Sequence, residues 1–200
     1  NRQEYYAIIT HMDTQVGRIL DALERTGKAD NTYIFFTADH GLSIGHHGLM
    51  GKQNMYDHSV RVPLMVTGPD IPKNERIAAP VYLQDIMPSA LELAGVKKPP
   101  HVQFKSLMPL VFGRTVSSYD AIYGGYIDLQ RMITTDDYKM IYYPKINKTL
   151  LYNLKTDPLE MHNLADDPAS AGLLKKLRAR LKELQKETRD RLDLDKPSTP

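Results

Sequence analysis

The 200-residue sequence contains no cysteine, so no disulfide, thiolate metal site or cysteine nucleophile lies within it. Long apolar runs are missing too. Stretches such as Tyr33 to Phe36 and Val62 to Val66 fall far short of the roughly 20 residues a membrane-crossing helix needs, and no membrane partner is expected. Neither sign of charge dominates: 26 Lys and Arg stand against 24 Asp and Glu, for a net charge of +2. Charges interleaved in this way create no field to gather nucleic acid or an anionic bilayer, and they point to a small partner. Asn1 stands where an initiator methionine would, with no basic and apolar leader behind it. The expectation is a chain that starts inside a larger protein.

What is present is globular in character. With 42% hydrophobic and 25% charged residues, the chain can bury one sizeable core. Tyr5, Ile8, Ile9, Met12, Val16, Ile19, Leu20 and Leu23 recur at steps of three and four, which predicts an amphipathic helix ending near Gly27. Tyr33 to Thr37 is a short β-favouring apolar run, expected as a strand buried on both faces of a parallel sheet. A long loop from Gly41 to Tyr56 follows, then a second buried strand from Val60 to Thr67 and a helix from Leu83 to Leu93 stopped at Gly95. This order is α/β layering. After Pro99-Pro100 and a short helix near Leu107 to Phe112 come β segments at Ala121 to Tyr126, Arg131 to Thr134, Tyr138 to Tyr143 and Thr149 to Tyr152, spaced as an antiparallel meander. A helix with leucines at Leu173, Leu174, Leu177, Leu181 and Leu184 closes the pattern, and Leu192 to Pro200 reads as a frayed tail. A boundary is placed near residue 116, dividing 1–116 from 117–200.

The residues that carry chemistry gather after the first strand. Thr37-Ala38-Asp39-His40-Gly41 puts a carboxylate and an imidazole at the carboxyl end of a buried strand, where open α/β sheets bind ligands. Two readings stand: both side chains face one ion, or Asp39 caps the next turn beside a loop histidine. Lys52, among small residues in Gly48-Leu49-Met50-Gly51-Lys52, is either an oxyanion contact or a solvated lysine. His46, His47 and His58 invite a zinc reading. Adjacent loop histidines generally point apart, however, and no H-x-x-x-H pair supports zinc, so they are taken as substrate contacts. His11 is read as a surface or packing residue. Lys175, Lys176, Arg178, Arg180 and Lys182 lack interleaved aromatics and read as a solvated face.

Four segments taken in order resemble the type I sulfatase family of the alkaline-phosphatase superfamily. They are Tyr5-Tyr6-Ala7 through Asp13-Thr14-Gln15-Val16-Gly17-Arg18 and Leu20-Asp21-Ala22-Leu23; Thr37 to Gly41; Gly45-His46-His47-Gly48-Leu49-Met50-Gly51-Lys52 with Tyr56 and Arg61-Val62-Pro63-Leu64; and Leu151-Tyr152-Asn153-Leu154 with Asp157-Pro158, Glu160 and Asn163-Leu164-Ala165. The resemblance implies the second half of an alkaline-phosphatase-like α/β/α sandwich, then a small antiparallel sheet with a C-terminal helix. It implies a divalent cation, usually calcium, on Asp39 and His40, and a sulfate contact from Lys52. The imidazole suits calcium less well than a carboxylate does. The family's formylglycine arises within a C/S-x-P-x-R motif, and this chain has no such motif. The nucleophile, an early pair of Asp ligands and further Lys and His residues are therefore expected in an N-terminal half that acts as this chain's partner. The 200 residues alone are expected to be inactive. The expected substrate is a small or carbohydrate sulfate ester, in an exported or lysosomal parent. A phosphoesterase of the same superfamily, or a noncatalytic scaffold, are the competing readings.

Overall fold

A computed structural model describes residues 2–135 and 137–195. Its first element, α1 (Arg2–Arg25), follows the predicted periodicity and stops before Gly27, whose φ of 65° breaks the helix. No residue of α1 is buried, and Ile8 and Ile19 of its apolar stripe are more than 60% exposed. The helix thus leaves most of its apolar stripe exposed, with Tyr5, Val16 and Leu23 half-buried.

Strand β1 (Ile34–Thr37) forms where expected, but its neighbour corrects the parallel-sheet expectation. It pairs antiparallel with β4 (Leu64–Thr67), Phe35 opposite Val66 and Thr37 opposite Leu64. The chain returns to β1 through a loop, without the helical crossover that a parallel neighbour requires. Both strands are only half-buried or exposed, since the other edge of each has no partner strand among the described residues. The second strand is also shorter than Val60 to Thr67, because Val60 ends α2 (Asp57–Val60) and Arg61 to Pro63 join them without regular structure. Within the loop, β2 (Ser43–Ile44) and β3 (Met50–Gly51) make a two-residue antiparallel pair.

Helix α3 (Ile86–Leu93) lies within its predicted span and is followed by Gly95 at φ 68°. Buried Asp85 fastens the next connection to its start. One carboxylate oxygen accepts from the Tyr82 amide at 2.8 Å, and the other accepts from the Tyr119 hydroxyl at 2.7 Å and the Lys105 amide at 3.1 Å. A single turn, α4 (Met108–Val111), precedes the second sheet.

Strands β5 (Ile122–Tyr126), β6 (Gln130–Thr134), β7 (Tyr138–Tyr143) and β8 (Lys148–Asn153) form the expected meander in the order β5-β6-β7-β8. Register places Met132 opposite Ile141 and Ile141 opposite Leu150 on one face, and Ile133, Met140 and Leu151 on the other. Both faces are covered. Leu177, Leu181 and Leu184 of α5 (Ala171–Glu187) seal the Ile133 face, while Met55 and Tyr56, arriving from the loop after β1, seal the Met132 face. A small antiparallel sheet more often leaves one face to water; here the second face is the seat of the functional loop.

The frayed-tail expectation is corrected as far as residue 195. The tail turns back at Arg189 (φ 57°), and Leu194 enters the core beside α5 at 4% exposure. The Tyr142 hydroxyl and the Arg178 guanidinium both donate to the Leu194 carbonyl, at 3.2 and 3.1 Å. Asp190 pairs with buried Arg131 and accepts from Tyr123. Against burial, which would raise it, these partners hold the Asp190 carboxyl down at about 2. Residues 196–200 of the predicted tail lie outside the described residues. On α5 the basic residues are not uniformly solvated: Arg180 grips Asp120 through two bonds of 2.8 Å, and Arg178 lies 4.5 Å from the Tyr142 ring centre. His11 is exposed, as expected.

Candidate functional site

Strand β1 ends at Thr37, and the chain turns so that Asp39 and His40 project from its carboxyl end. Asp39 Oδ1 accepts from the His40 amide at 2.9 Å, while its Oδ2 faces His40 Nε2 at 3.4 Å. The His40 Nδ1–H donates to the Gly41 carbonyl at 2.8 Å, which makes Nε2 the ring's acceptor. The Lys52 ammonium meets that Nε2 atom, brought there by the β2–β3 pair. Three residues singled out in the sequence therefore converge on one point.

This donor set can be weighed against a divalent cation. One carboxylate oxygen and one imidazole nitrogen face the same region, and the imidazole is oriented by a backbone carbonyl on its other nitrogen, as metal-bound histidines usually are. Once the Lys52 ammonium turns from Nε2 to an anion, the two donors fit as part of a shell. Calcium wants six to eight oxygens, and among the described residues no group of three or more His, Cys, Asp or Glu is placed to hold an ion alone.

The histidines correct one expectation. Consecutive His46 and His47 do not diverge: their ring centres lie 5.4 Å apart, and His58 stands 6.1 and 5.7 Å from them. Positive φ at Gly45 (97°), His47 (53°) and Gly48 (68°) coils the loop tightly enough to gather the rings. His47 also stacks on Tyr56 at 4.0 Å and 13°, and Tyr56 is part of the core under the small sheet. His46 and His58 open onto a cleft of about 220 Å³ with Asp57, Arg61 and the Pro158-Leu159-Glu160 segment.

Both ring nitrogens of His58 are sealed from solvent without a hydrogen-bond partner among the described residues. Burial, then the neighbouring His47 and His46 rings and Lys139, push His58 down to about 4 against the opposing pull of Asp57. An unfolded chain takes up this proton near the ordinary value of 6.5, whereas the folded one resists until about 4. The contribution of His58 to stability is therefore complete above pH 6.5 and is lost as pH falls from there to 4. Urea unfolding of His58→Gln is expected to show a weaker acid loss across that window than the parent protein. Equal losses in both would remove His58 as the cause.

The sequence reading missed the polar centre beneath the loop. Lys139, fully buried on β7, pairs with Asp57 at the start of α2 and with Glu160 at 2.6 Å. Glu160 is 2% exposed, and its other oxygen accepts from the Asp57 amide at 2.7 Å. The signal that could have found the cluster is a lysine inside an otherwise apolar strand, Tyr138-Lys139-Met140-Ile141-Tyr142, because such a residue needs a buried anion.

Residues 45–187 match the family described as N-sulphoglucosamine sulphohydrolase, C-terminal. The chain is 32% identical over 201 aligned positions to N-acetylglucosamine-6-O-sulfatase of Bacteroides thetaiotaomicron, covering 94% of this chain and 36% of that protein. It superposes with a TM-score of 0.81 and 30% identity on a protein solved in complex with its substrate D-glucosamine-2-N,6-O-disulfate, covering 94% of this chain and 41% of that one. Phosphonate monoester hydrolase of Agrobacterium radiobacter superposes with a TM-score of 0.82 at 27% identity, covering 92% and 40%. The chain thus spans about two fifths or less of the length of each of these relatives. The superpositions extend over both sheets, so the α/β region, the small antiparallel sheet and the last helix share the alkaline-phosphatase-like fold of these proteins.

Proposed function

Because this chain belongs to the sulfatase family of the alkaline-phosphatase superfamily, and forms its C-terminal part, we propose that the protein carrying it hydrolyses sulfate esters of sugars. The observation that carries the proposal is the convergence of Asp39, His40 and Lys52 at the end of β1. Sulfuryl transfer develops charge on the non-bridging oxygens, and an ammonium held beside them by a fixed loop stabilises the transition state more than the ground state. In this reading Lys52 leaves His40 Nε2 to donate to those oxygens, and the Gly41 carbonyl keeps the His40 ring turned towards the same point. A divalent cation, calcium by family likeness, would be held in part by Asp39 and His40 and would supply further positive charge there. The nucleophile is a hydrated formylglycine carried outside these 200 residues. The segment that carries it would also cover the apolar face of α1.

For the substrate, the relative solved with glucosamine disulfate supports a sulfated carbohydrate. We assign the sugar to the cleft beside His46 and His58, with His47 forming the wall behind them through its stack on Tyr56. The likeness to a phosphonate monoester hydrolase supports a second reading, in which a phosphorus ester is the better substrate.

The test is an assay of the full-length protein on D-glucosamine-2-N,6-O-disulfate and on an aryl phosphonate monoester, before and after chelation. Turnover of the sulfated sugar, lost on chelation and restored by calcium, is expected. Turnover of the phosphonate alone would select the second reading. No turnover of either by protein that carries formylglycine would leave a noncatalytic scaffold.

A further inference from the structure

We propose that the buried cluster of Lys139, Asp57 and Glu160 is a positioning device, through which the small sheet sets the geometry of Asp39, His40 and Lys52. The inference rests on the functional reading above and concerns a role apart from the reacting atoms, although Asp57 and Glu160 also border the cleft assigned to the sugar.

The cost of the cluster argues against a purely structural role. Two charged groups have been withdrawn from water on the face of β7 that meets the functional loop, Lys139 at 0% exposure and Glu160 at 2%, and the half-buried Asp57 completes the cluster. Apolar side chains of similar volume usually serve stability as well or better. What an ion cluster provides instead is directional fixation, and here the direction leads to the site.

The path is short and made of backbone. Glu160 divides its carboxylate, one oxygen to Lys139 and the other to the Asp57 amide, and so pins the first residue of α2 to the small sheet. At the other end of that turn, the Ser59 carbonyl accepts from the Gly41 amide at 2.8 Å. The Gly41 carbonyl then accepts from His40 Nδ1, and His40 Nε2 meets Lys52. Between α2 and Gly41 there is no slack: a Cβ on Gly41 would collide with the His58 carbonyl. A shift of α2 is therefore passed to His40 backbone to backbone. Reacting groups misplaced by about 1 Å lose on the order of 100-fold in rate, so a fraction of that movement is measurable.

The deciding experiment uses the full-length protein with Glu160→Gln, which keeps the volume and one acceptor but removes the charge that holds Lys139. Hydrolysis of the disulfated sugar is followed with thermal melting, exchange of the Gly41 amide and the NMR signals of a selectively labelled His40 ring. We expect kcat to fall about tenfold, KM to move less than about twofold, the Gly41 amide to exchange faster and the His40 signals to shift. A lower melting temperature with kcat and His40 signals unchanged would overturn the proposal, leaving the cluster merely structural. Should that variant fold poorly, Lys139→Met with Glu160→Met removes one charge of each sign and is expected to fold. A parental kcat in that double variant overturns the proposal, and a reduced one supports it. If the parent protein hydrolyses no sulfate ester, the functional reading fails by itself. The Gly41 exchange and His40 signals then decide on positioning alone: a change in Glu160→Gln supports it and no change overturns it.

Discussion

Lys52→Ala in the full-length protein is expected to lower kcat for a sulfate ester by about 100- to 1000-fold, the range seen when one preorganised donor to a developing anion is removed. The expectation is specific to chemistry. Lys52 lies on the surface, and His40 is the side chain its ammonium meets. Its loss should leave stability within about 0.5 kcal/mol of the parent. Lys52→Arg should recover little, because a planar fork cannot occupy the point where a compact ammonium meets the His40 nitrogen. Steady-state kinetics and thermal melting on the same preparations check this. A Lys52→Ala enzyme that turns over at more than about a tenth of the parental rate would remove Lys52 from the reaction.

The largest effect on folding is expected at Lys139. Lys139→Met fills most of the same volume but leaves the Asp57 and Glu160 carboxylates facing a space without their cation. Breaking a buried ion cluster by taking one partner away costs about 3–5 kcal/mol, a large share of the roughly 5–15 kcal/mol that holds a typical domain together. Arg61, 3.4 Å from Asp57, can compensate only one of the two acids, and its side chain is 78% exposed. Urea denaturation should place the midpoint of Lys139→Met well below that of the parent, with exposed Lys148→Met as the unaffected control. Coincident midpoints for the two variants would show that the cluster contributes nothing to the balance.

Local features of the fold were legible in the sequence and contacts across distance were not. The meander could be read because each strand is a short β-favouring run between turn residues, and its neighbours in space are its neighbours in sequence. The helix over Tyr5 to Leu23 was equally plain from its period. The antiparallel partner of β1 was not, since an apolar run such as Ile34-Phe35-Phe36 does not carry the direction of its neighbour. At the site, Asp39, His40 and Lys52 could be named from motif and strand end. The gathering of His46, His47 and His58 depends on left-handed backbone at three loop positions, which spacing does not reveal. Lys139 stands out inside an apolar strand, but its partners Asp57 and Glu160 are each ordinary in their own segments, and only the fold brings the three together. Leu194 escaped notice because two leucines beyond a helix show no period, although the core beside α5 buries Leu194 and packs Leu192 against its edge.

The docking of that last leucine bears on how much of the chain the small sheet needs. The core between α5 and the four-stranded sheet includes Leu194, and among the described residues Asp190 is the carboxylate that pairs with the Arg131 guanidinium. A chain cut back to before Asp190 can still pair the four strands, but it closes over a gap and a buried cation without its counter-ion. Such a chain should therefore be degraded by proteases and held by chaperones that leave the longer one alone.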